Sequence, residues 1–320
     1  MEERVLPSLP FMKVVKSAND KHRLWGGTMF GDAVAWYLFL GGSGASALGI
    51  SALLSWVAHS PRKHGELQRA AIRVGSDFYS RSYCIIAIVL LVGSLCLTAD
   101  MGHPERLLIV FLRPRLSIIT VGAFTLLVSL VCAAALALEA NFSLKLSRAF
   151  MQALRVVAVV SSCVASLYTG FLLMSMYAVP FWNNLLMPIV FFFAGASCGI
   201  ALLLAIGDYV SARGCFECLR RKLVTTDFYI IILETVFLAA YFLVALTEPS
   251  SKAAALAILV GDMKAPWWIG FACPALLLPL LSRIRPTRES LAGVRTLIPF
   301  FILVGGFFLR YCFVKVWAFD

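Results

Sequence analysis

Histidine is nearly absent from this chain, which holds four, at positions 22, 59, 64 and 103. A low-spin haem inside a membrane protein takes two axial histidines on facing helices. Here His22 lies in a polar arm and the other three lie between apolar segments, so the pattern argues against bound haem. A second cysteine pair is also missing. Of nine cysteines, Cys215 and Cys218 stand close, in an inner loop reading Cys215-Phe216-Glu217-Cys218. One such pair completes neither a four-ligand zinc site nor an iron–sulfur site, and it reads as an inert reduced pair. The other seven cysteines are spread through apolar segments as small packing residues. Charge is sparse too, at 14% of residues, and no polar stretch is long enough to form a soluble catalytic domain. The net charge of +11 does not point to nucleic acid, because the basic residues are scattered and form no continuous patch.

What the chain has in excess is apolar length: 61% of its 320 residues are hydrophobic, with a mean hydropathy of +0.88. Crossing a hydrocarbon core of roughly 30 Å takes about 20 helical residues. Eight such stretches are read, at 33–58, 83–99, 116–138, 156–178, 185–209, 227–246, 267–282 and 296–316. The seventh is the shortest and carries Pro274 and Pro279. The expected fold is therefore an all-α integral membrane protein of eight transmembrane helices, with the lipid bilayer as its solvent.

The first 32 residues read as a retained polar arm that docks on a partner subunit, since they lack the short apolar run and cleavage site of a signal peptide. Residues 317–320 form a tail. With the amino terminus outside, the inner loops carry sixteen of the 28 Lys/Arg, from Arg62 through Arg155 and Arg220 to Arg295. The positive-inside rule then places both termini on the outer face. The basic arm, with Arg4, Lys13, Lys16, Lys21 and Arg23, argues the other way.

Small residues dominate Gly41-Gly42-Ser43-Gly44-Ala45-Ser46 in the first helix and Ala194-Gly195-Ala196-Ser197-Cys198-Gly199 in the fifth. Helices four apart cross in the same direction, so the likeness implies two four-helix halves, 33–178 and 185–316, related by a parallel repeat. Close backbone approach is the expected use of both stretches, and of Gly305-Gly306.

Acidic groups at membrane depth cost about 2.5–3.5 kcal/mol each at a helix centre, so each is a functional candidate. An outer tier contains Asp32, Asp100 and His103, with Arg310 near the outer end of helix eight. Asp32, Trp36 and Ser43 share one face of helix one. A carboxylate beside an aromatic suits a ring-shaped, proton-exchanging ligand; as a capping residue and an interfacial anchor they would be purely structural. An inner tier contains Glu139, Asp208, Asp227 and Glu234. Asp227, Glu234 and Tyr241 recur every seven residues, a stripe about 21 Å long that fits either a proton relay or buried structural pairing. Helix four adds Ser161, Ser162, Ser166, Tyr168 and Thr169 at mid-depth.

Four segments carry a resemblance, in order along nearly the whole sequence. They are Trp36-Tyr37-Leu38-Phe39-Leu40-Gly41-Gly42; Asp100-Met101-Gly102-His103-Pro104-Glu105-Arg106; Tyr168-Thr169-Gly170 with Pro180-Phe181-Trp182-Asn183; and Gly305-Gly306-Phe307-Phe308-Leu309-Arg310-Tyr311. Together they resemble the NrfD-type membrane subunits, similar to the polysulfide reductase anchor. The resemblance implies a bacterial inner-membrane subunit that binds neither haem nor metal. Such a subunit exchanges electrons between a quinone, menaquinone or ubiquinone, and a separate four-cluster iron–sulfur protein serving a molybdopterin catalytic subunit. It also implies quinone chemistry near the outer ends of the first helices. Asp32 is then the expected proton acceptor. Trp36, Asp100, His103, Tyr168 and Arg310 surround the quinone, with Glu139, Asp208, Asp227, Glu234 and Tyr241 as the proton path. Where the polysulfide reductase anchor has a histidine beside the pocket, this protein has Trp36. An eight-helix secondary transporter or proton channel, and a purely structural anchor, are the alternatives.

Overall fold

The computed structural model describes residues 32–60, 65–100, 118–142, 147–176, 179–210, 213–284 and 292–316. Among these, every regular element is helical. In chain order they are α1 (Asp32–Ala58), α2 (Gly65–Arg73), α3 (Ser76–Asp100), α4 (Ile118–Phe142), α5 (Arg148–Met174), a 3₁₀ turn (Pro180–Trp182), α6 (Leu186–Val210), α7 (Arg213–Thr247) and α8 (Lys252–Leu259). A π-helical segment (Pro266–Leu277) then runs into α9 (Leu278–Ile284), and α10 (Ala292–Lys315) follows. Seven helices are long and apolar enough to span a bilayer, and Pro266–Ser282 is a shorter eighth. The protein is an integral membrane protein. The amino-terminal arm, His103 and the tail lie outside the described residues.

Several boundaries differ from the sequence reading, each for a physical reason. The sixth helix begins at Arg213 rather than 227, so Cys218 sits on α7 and not in a loop. Its first turns are polar and extend the helix beyond the apolar span. The fourth begins at Arg148, where Ser147 accepts a hydrogen bond from the Phe150 amide as an N-cap, and this draws Arg155 into the helix. The seventh is wound as a π-helix around Pro274. Proline lacks an N–H and its ring crowds the preceding turn, and a wider helix accommodates both. The short helices α2 and α8 carry too few residues to stand out as apolar stretches.

α1 is the central helix and packs against α3, α5, α6 and α10; α3 meets α4 and α4 meets α5. On the other side α6 packs against α7 and α10, and α10 against the π-helical segment. The contact between α1 and α6 is made by their small residues. A Cβ on Gly199 would lie 2.7 Å from the Ala47 backbone nitrogen and 2.8 Å from Ser46 Cβ, so α6 lies directly on the α1 backbone. A Cβ on Gly93 would sit 3.2 Å from the Gly41 nitrogen, so α3 approaches α1 in the same manner. Apolar side chains have nothing to escape in lipid, and this close van der Waals approach takes over the role of a hydrophobic core.

At the end of the bundle where α2 lies, Lys222 Nζ on α7 donates to Glu66 Oε2 at 2.8 Å. The Lys222 ammonium holds the Glu66 carboxyl below the ordinary carboxylate range. A carboxylate with a depressed folded pKa contributes stability above its unfolded value, about 4.3, and loses it as pH falls through the folded value. Spin labels at positions 69 and 221 should therefore show a tight distance distribution at pH 7 that broadens on acidification below about pH 4. In Glu66→Gln the broad distribution should already be present at pH 7.

Candidate functional site

Among the described residues, a buried charge is built on α10. Arg310 is completely buried. Its Nη1 folds back one turn to donate to the Gly306 carbonyl at 2.8 Å, and its Nε crosses to the Leu38 carbonyl of α1 at 3.1 Å. Glycines make room for it: a Cβ on Gly42 would lie 3.0 Å from Nη2, and one on Gly195 3.6 Å from it. The rings of Phe39 and Phe191 lie 5.9 and 5.6 Å from the guanidinium carbon, within cation–π range. Nη2 has no hydrogen-bond partner among the described residues.

Two buried carboxylates lie on α7, of which Glu234 interacts electrostatically with this cation. Asp227 and Glu234 are 4% and 3% exposed, one above the other at a seven-residue spacing. Glu234 interacts electrostatically with Arg310 and Asp227, and Cys198 of α6 lies among all three. Ser197 of α6 neighbours Asp227. Their Oγ and Oδ1 atoms are buried, and neither completes a hydrogen bond of good geometry. The cluster thus holds one positive and two potentially negative groups.

The other acids of the sequence-derived proton path are placed apart. Asp208 Oδ1 accepts from Arg220 Nε at 3.0 Å, an ion pair that ties the end of α6 to α7. Glu139, half-buried on α4, interacts electrostatically with Tyr83 on the far side of α1. Tyr241 shares the α7 face with Asp227 and Glu234, and its hydroxyl donates to the Phe181 carbonyl. It sits in an aromatic cluster with Phe181, Phe242 and Phe313, where it fastens the 3₁₀ turn.

The residues expected around a quinone fall on two seams. Trp36, 46% exposed, stacks on Phe307 of α10 with ring centroids 4.3 Å apart, and Phe39 packs edge-on between them and Arg310. Trp36 and Arg310 therefore share the α1/α10 seam. Tyr168 is buried beside Tyr37 and over Gly122, on the seam of α1, α4 and α5. Consecutive helical residues point about 100° apart, so Trp36 and Tyr37 address different neighbours and Tyr168 is not beside Trp36. Ser43 is buried and donates back to the Phe39 carbonyl. Asp32 begins α1 and Asp100 ends α3, but their side chains, like His103, lie outside the described residues.

One feature escaped the sequence reading. Arg155, counted there with the inner-loop cations, is 6% exposed within α5, and it interacts electrostatically with Tyr79 and Tyr83 of α3. A line of hydroxyls joins α1, α4 and α5, with Ser46 bonded to Ser166 at 2.9 Å and Ser129 to Ser161 at 3.1 Å. The sequence had already singled out Ser161 and Ser166 at mid-depth; their partners Ser129 and Ser46 are decided by the packing. No group of three or more His, Cys, Asp or Glu able to hold a metal occurs among the described residues.

Comparison with known proteins gives a concordant result. The family described as "Polysulphide reductase, NrfD" matches residues 19–316. "Protein NrfD" of Escherichia coli (strain K12) is 30% identical over 154 residues, covering 43% of this sequence and 48% of that protein. The C subunit of the polysulfide reductase of Wolinella succinogenes is 30% identical over 133 residues, covering 41% of this sequence and 42% of that protein. The aligned part thus spans just under half the length of each relative.

Proposed function

The chain belongs to the polysulphide reductase NrfD family, and from that premise we propose that it is the quinone-reacting membrane subunit of a bacterial respiratory oxidoreductase. In this reading it exchanges electrons with a separate iron–sulfur subunit that serves a molybdopterin subunit. It lies in the inner membrane with both termini on the outer face. The observation that carries the proposal is the buried cluster of Arg310, Glu234 and Asp227 next to a seam where Trp36 is open to the membrane.

Quinol oxidation delivers two electrons and two protons. The electrons leave to the iron–sulfur partner, and the protons need acceptors on this subunit. Asp32, at the start of α1, is the proposed first acceptor. Trp36 and Phe307 offer aromatic faces to the ring, and Arg310, one turn below, supplies a fixed positive charge toward the quinone oxygens. Glu234 interacts electrostatically with the guanidinium and with Asp227, and electroneutrality of the three groups in a low-dielectric interior is reached when the two carboxylates hold one proton between them. That makes Asp227 and Glu234 a site that stores a proton and passes it on. His103 is proposed as a further hydrogen-bond donor, whereas Tyr168, beside Tyr37 and Gly122 on the other seam, does not serve a ring at Trp36. The two sets of packed helices around α1 and α6 fit a parallel repeat of four-helix halves.

The decisive experiment is purification of the tagged protein from native membranes in mild detergent, with mass spectrometry and metal analysis of its companions. Co-purifying iron–sulfur and molybdenum subunits would support the proposal. A protein that emerges alone and metal-free under several gentle conditions would favour a transporter, for which the π-helical segment at Pro266–Leu277 is the specific structural hint. Within the complex, Asp32→Asn should lower quinol turnover at unchanged assembly, since it keeps the shape and removes the base. Glu234→Gln should reduce proton movement per electron while electron transfer continues. Unchanged proton stoichiometry would return Glu234 to a structural role.

A further inference from the structure

Between α1, α5 and α6, away from the Trp36 seam, lies a cavity of about 130 Å³. Its walls include Ser46, Leu53, Ser162, Cys163, Phe192 and Ala196. Leu53 and Cys163 are exposed on the bundle surface, so the cavity opens sideways to the bilayer at that end. Ser46 is ten residues beyond Trp36 on α1, which places the cavity about 15 Å farther along the helix.

Four observations specify its occupant. The sideways mouth admits a ligand that travels in the bilayer. The volume is close to that of the roughly 150 Å³ cavity known to hold benzene, so one six-membered ring fits. No charged side chain lines the wall, so the ligand is neutral. At the closed end the Ser46–Ser166 pair shares one hydrogen bond, and two hydroxyls bring two protons, leaving one O–H to donate to a ligand carbonyl.

That closed end adjoins the charge cluster. A Cβ on Gly195 would touch Ser46 Oγ at 3.1 Å on one side and approach Arg310 Nη2 at 3.6 Å on the other. Ser197, beside Asp227, is the residue after the lining Ala196. We propose that this lateral cleft is a second binding position for a quinone ring, at mid-depth, with one carbonyl on the Ser46–Ser166 pair and the ring against Phe192. The inference rests on the quinone reading of the protein. It adds a position from which bound ligand and the Asp227–Glu234 carboxylates lie on opposite sides of one layer of small residues.

The test uses the intact complex in lipid nanodiscs, a photoreactive azido-quinone, and mass-spectrometric mapping of the labelled peptides. Labelling of the segments around Ser46–Leu53 and Val159–Ser166, competed by excess unmodified quinone, is expected. It should fall about tenfold in Ala196→Leu, which fills the cleft. Ser46→Ala with Ser166→Ala, which removes both hydroxyls, should weaken it while the complex keeps its melting temperature; Ser166→Ala alone leaves the Ser46 O–H as donor and should weaken it less. Competed label confined to peptides holding Trp36 or Phe307 overturns the second position and leaves the quinone reading standing. Absence of competed label anywhere on this subunit overturns both. Cleft labelling that a simple alkane without a ring displaces equally well overturns the ring assignment, the cleft then holding a hydrocarbon tail.

Discussion

Arg310→Met is expected to destabilise the protein by about 3–5 kcal/mol, the usual consequence of removing one partner from a buried charge group. Methionine has similar reach and no charge, so the loss reports the carboxylate left behind rather than a cavity. Glu234 interacts electrostatically with Arg310, and the carbonyls of Leu38 and Gly306 each lose a donor. The second part of the prediction is the stronger. Adding Glu234→Gln to Arg310→Met should recover part of the lost stability, because the double variant no longer strands a charge in the interior. Arg310→Lys should not rescue it, since a single ammonium on a flexible stem cannot span α1 and α10 as the guanidinium fork does. Thermal unfolding of the purified protein in a fixed detergent measures all four variants. If the double variant is as unstable as the sum of the two singles, the residues act independently and the cluster is not a unit.

Gly199→Val should be nearly as damaging, for a steric reason. Any Cβ at position 199 meets the Ala47 nitrogen at 2.7 Å, and that nitrogen belongs to the α1 backbone, which has no rotamer to change. Relief requires α6 and α1 to move apart, at about 1–3 kcal/mol or more for overpacking, and the notch made by Gly42 and Gly195 for Arg310 would widen with them. Gly41→Ala, on α1, is the control, since its new Cβ would find the Tyr37 ring at an ordinary 3.5 Å. The contrast is read from the yield of monodisperse protein and its melting temperature. Equal behaviour of the two variants would mean that the α1/α6 contact is not the tight seam described.

Much of the fold was legible because the bilayer imposes one simple demand: a spanning helix must be long and apolar. Each of the eight expected stretches overlaps an observed helical element, and those on α1 and α6 match it within one residue at each end. The errors came where polar residues continue a helix beyond the lipid. Arg213–Thr226 at the start of α7 and Arg148–Arg155 at the start of α5 are helical for reasons of capping and packing, which hydropathy does not report. The same blindness put Arg155 in a loop. Among the candidate site residues, the seven-residue recurrence correctly placed Asp227 and Glu234 on one buried face, since that spacing is a property of the helix itself. It could not say that Tyr241, on the same face, would donate to the Phe181 carbonyl. Nor could it separate Trp36 from Tyr168, which are joined only through how α1 is rotated between its neighbours.

The sequence by itself determined that this is a polytopic helical membrane protein of the NrfD family, which residues on its helices would pack by small side chains, and which acids share a face. The family rests on the resemblance carried by four segments, and the rest follows from length, hydropathy and period, all local quantities. Only the tertiary structure decided that Arg310 reaches across to α1 and interacts electrostatically with Glu234, that Asp208 belongs to Arg220, and that a cleft opens beside Ser46 and Ser166. Those pairings depend on the rotation and separation of helices far apart in the sequence. In lipid, the rotation and separation are set by where glycines let backbones touch.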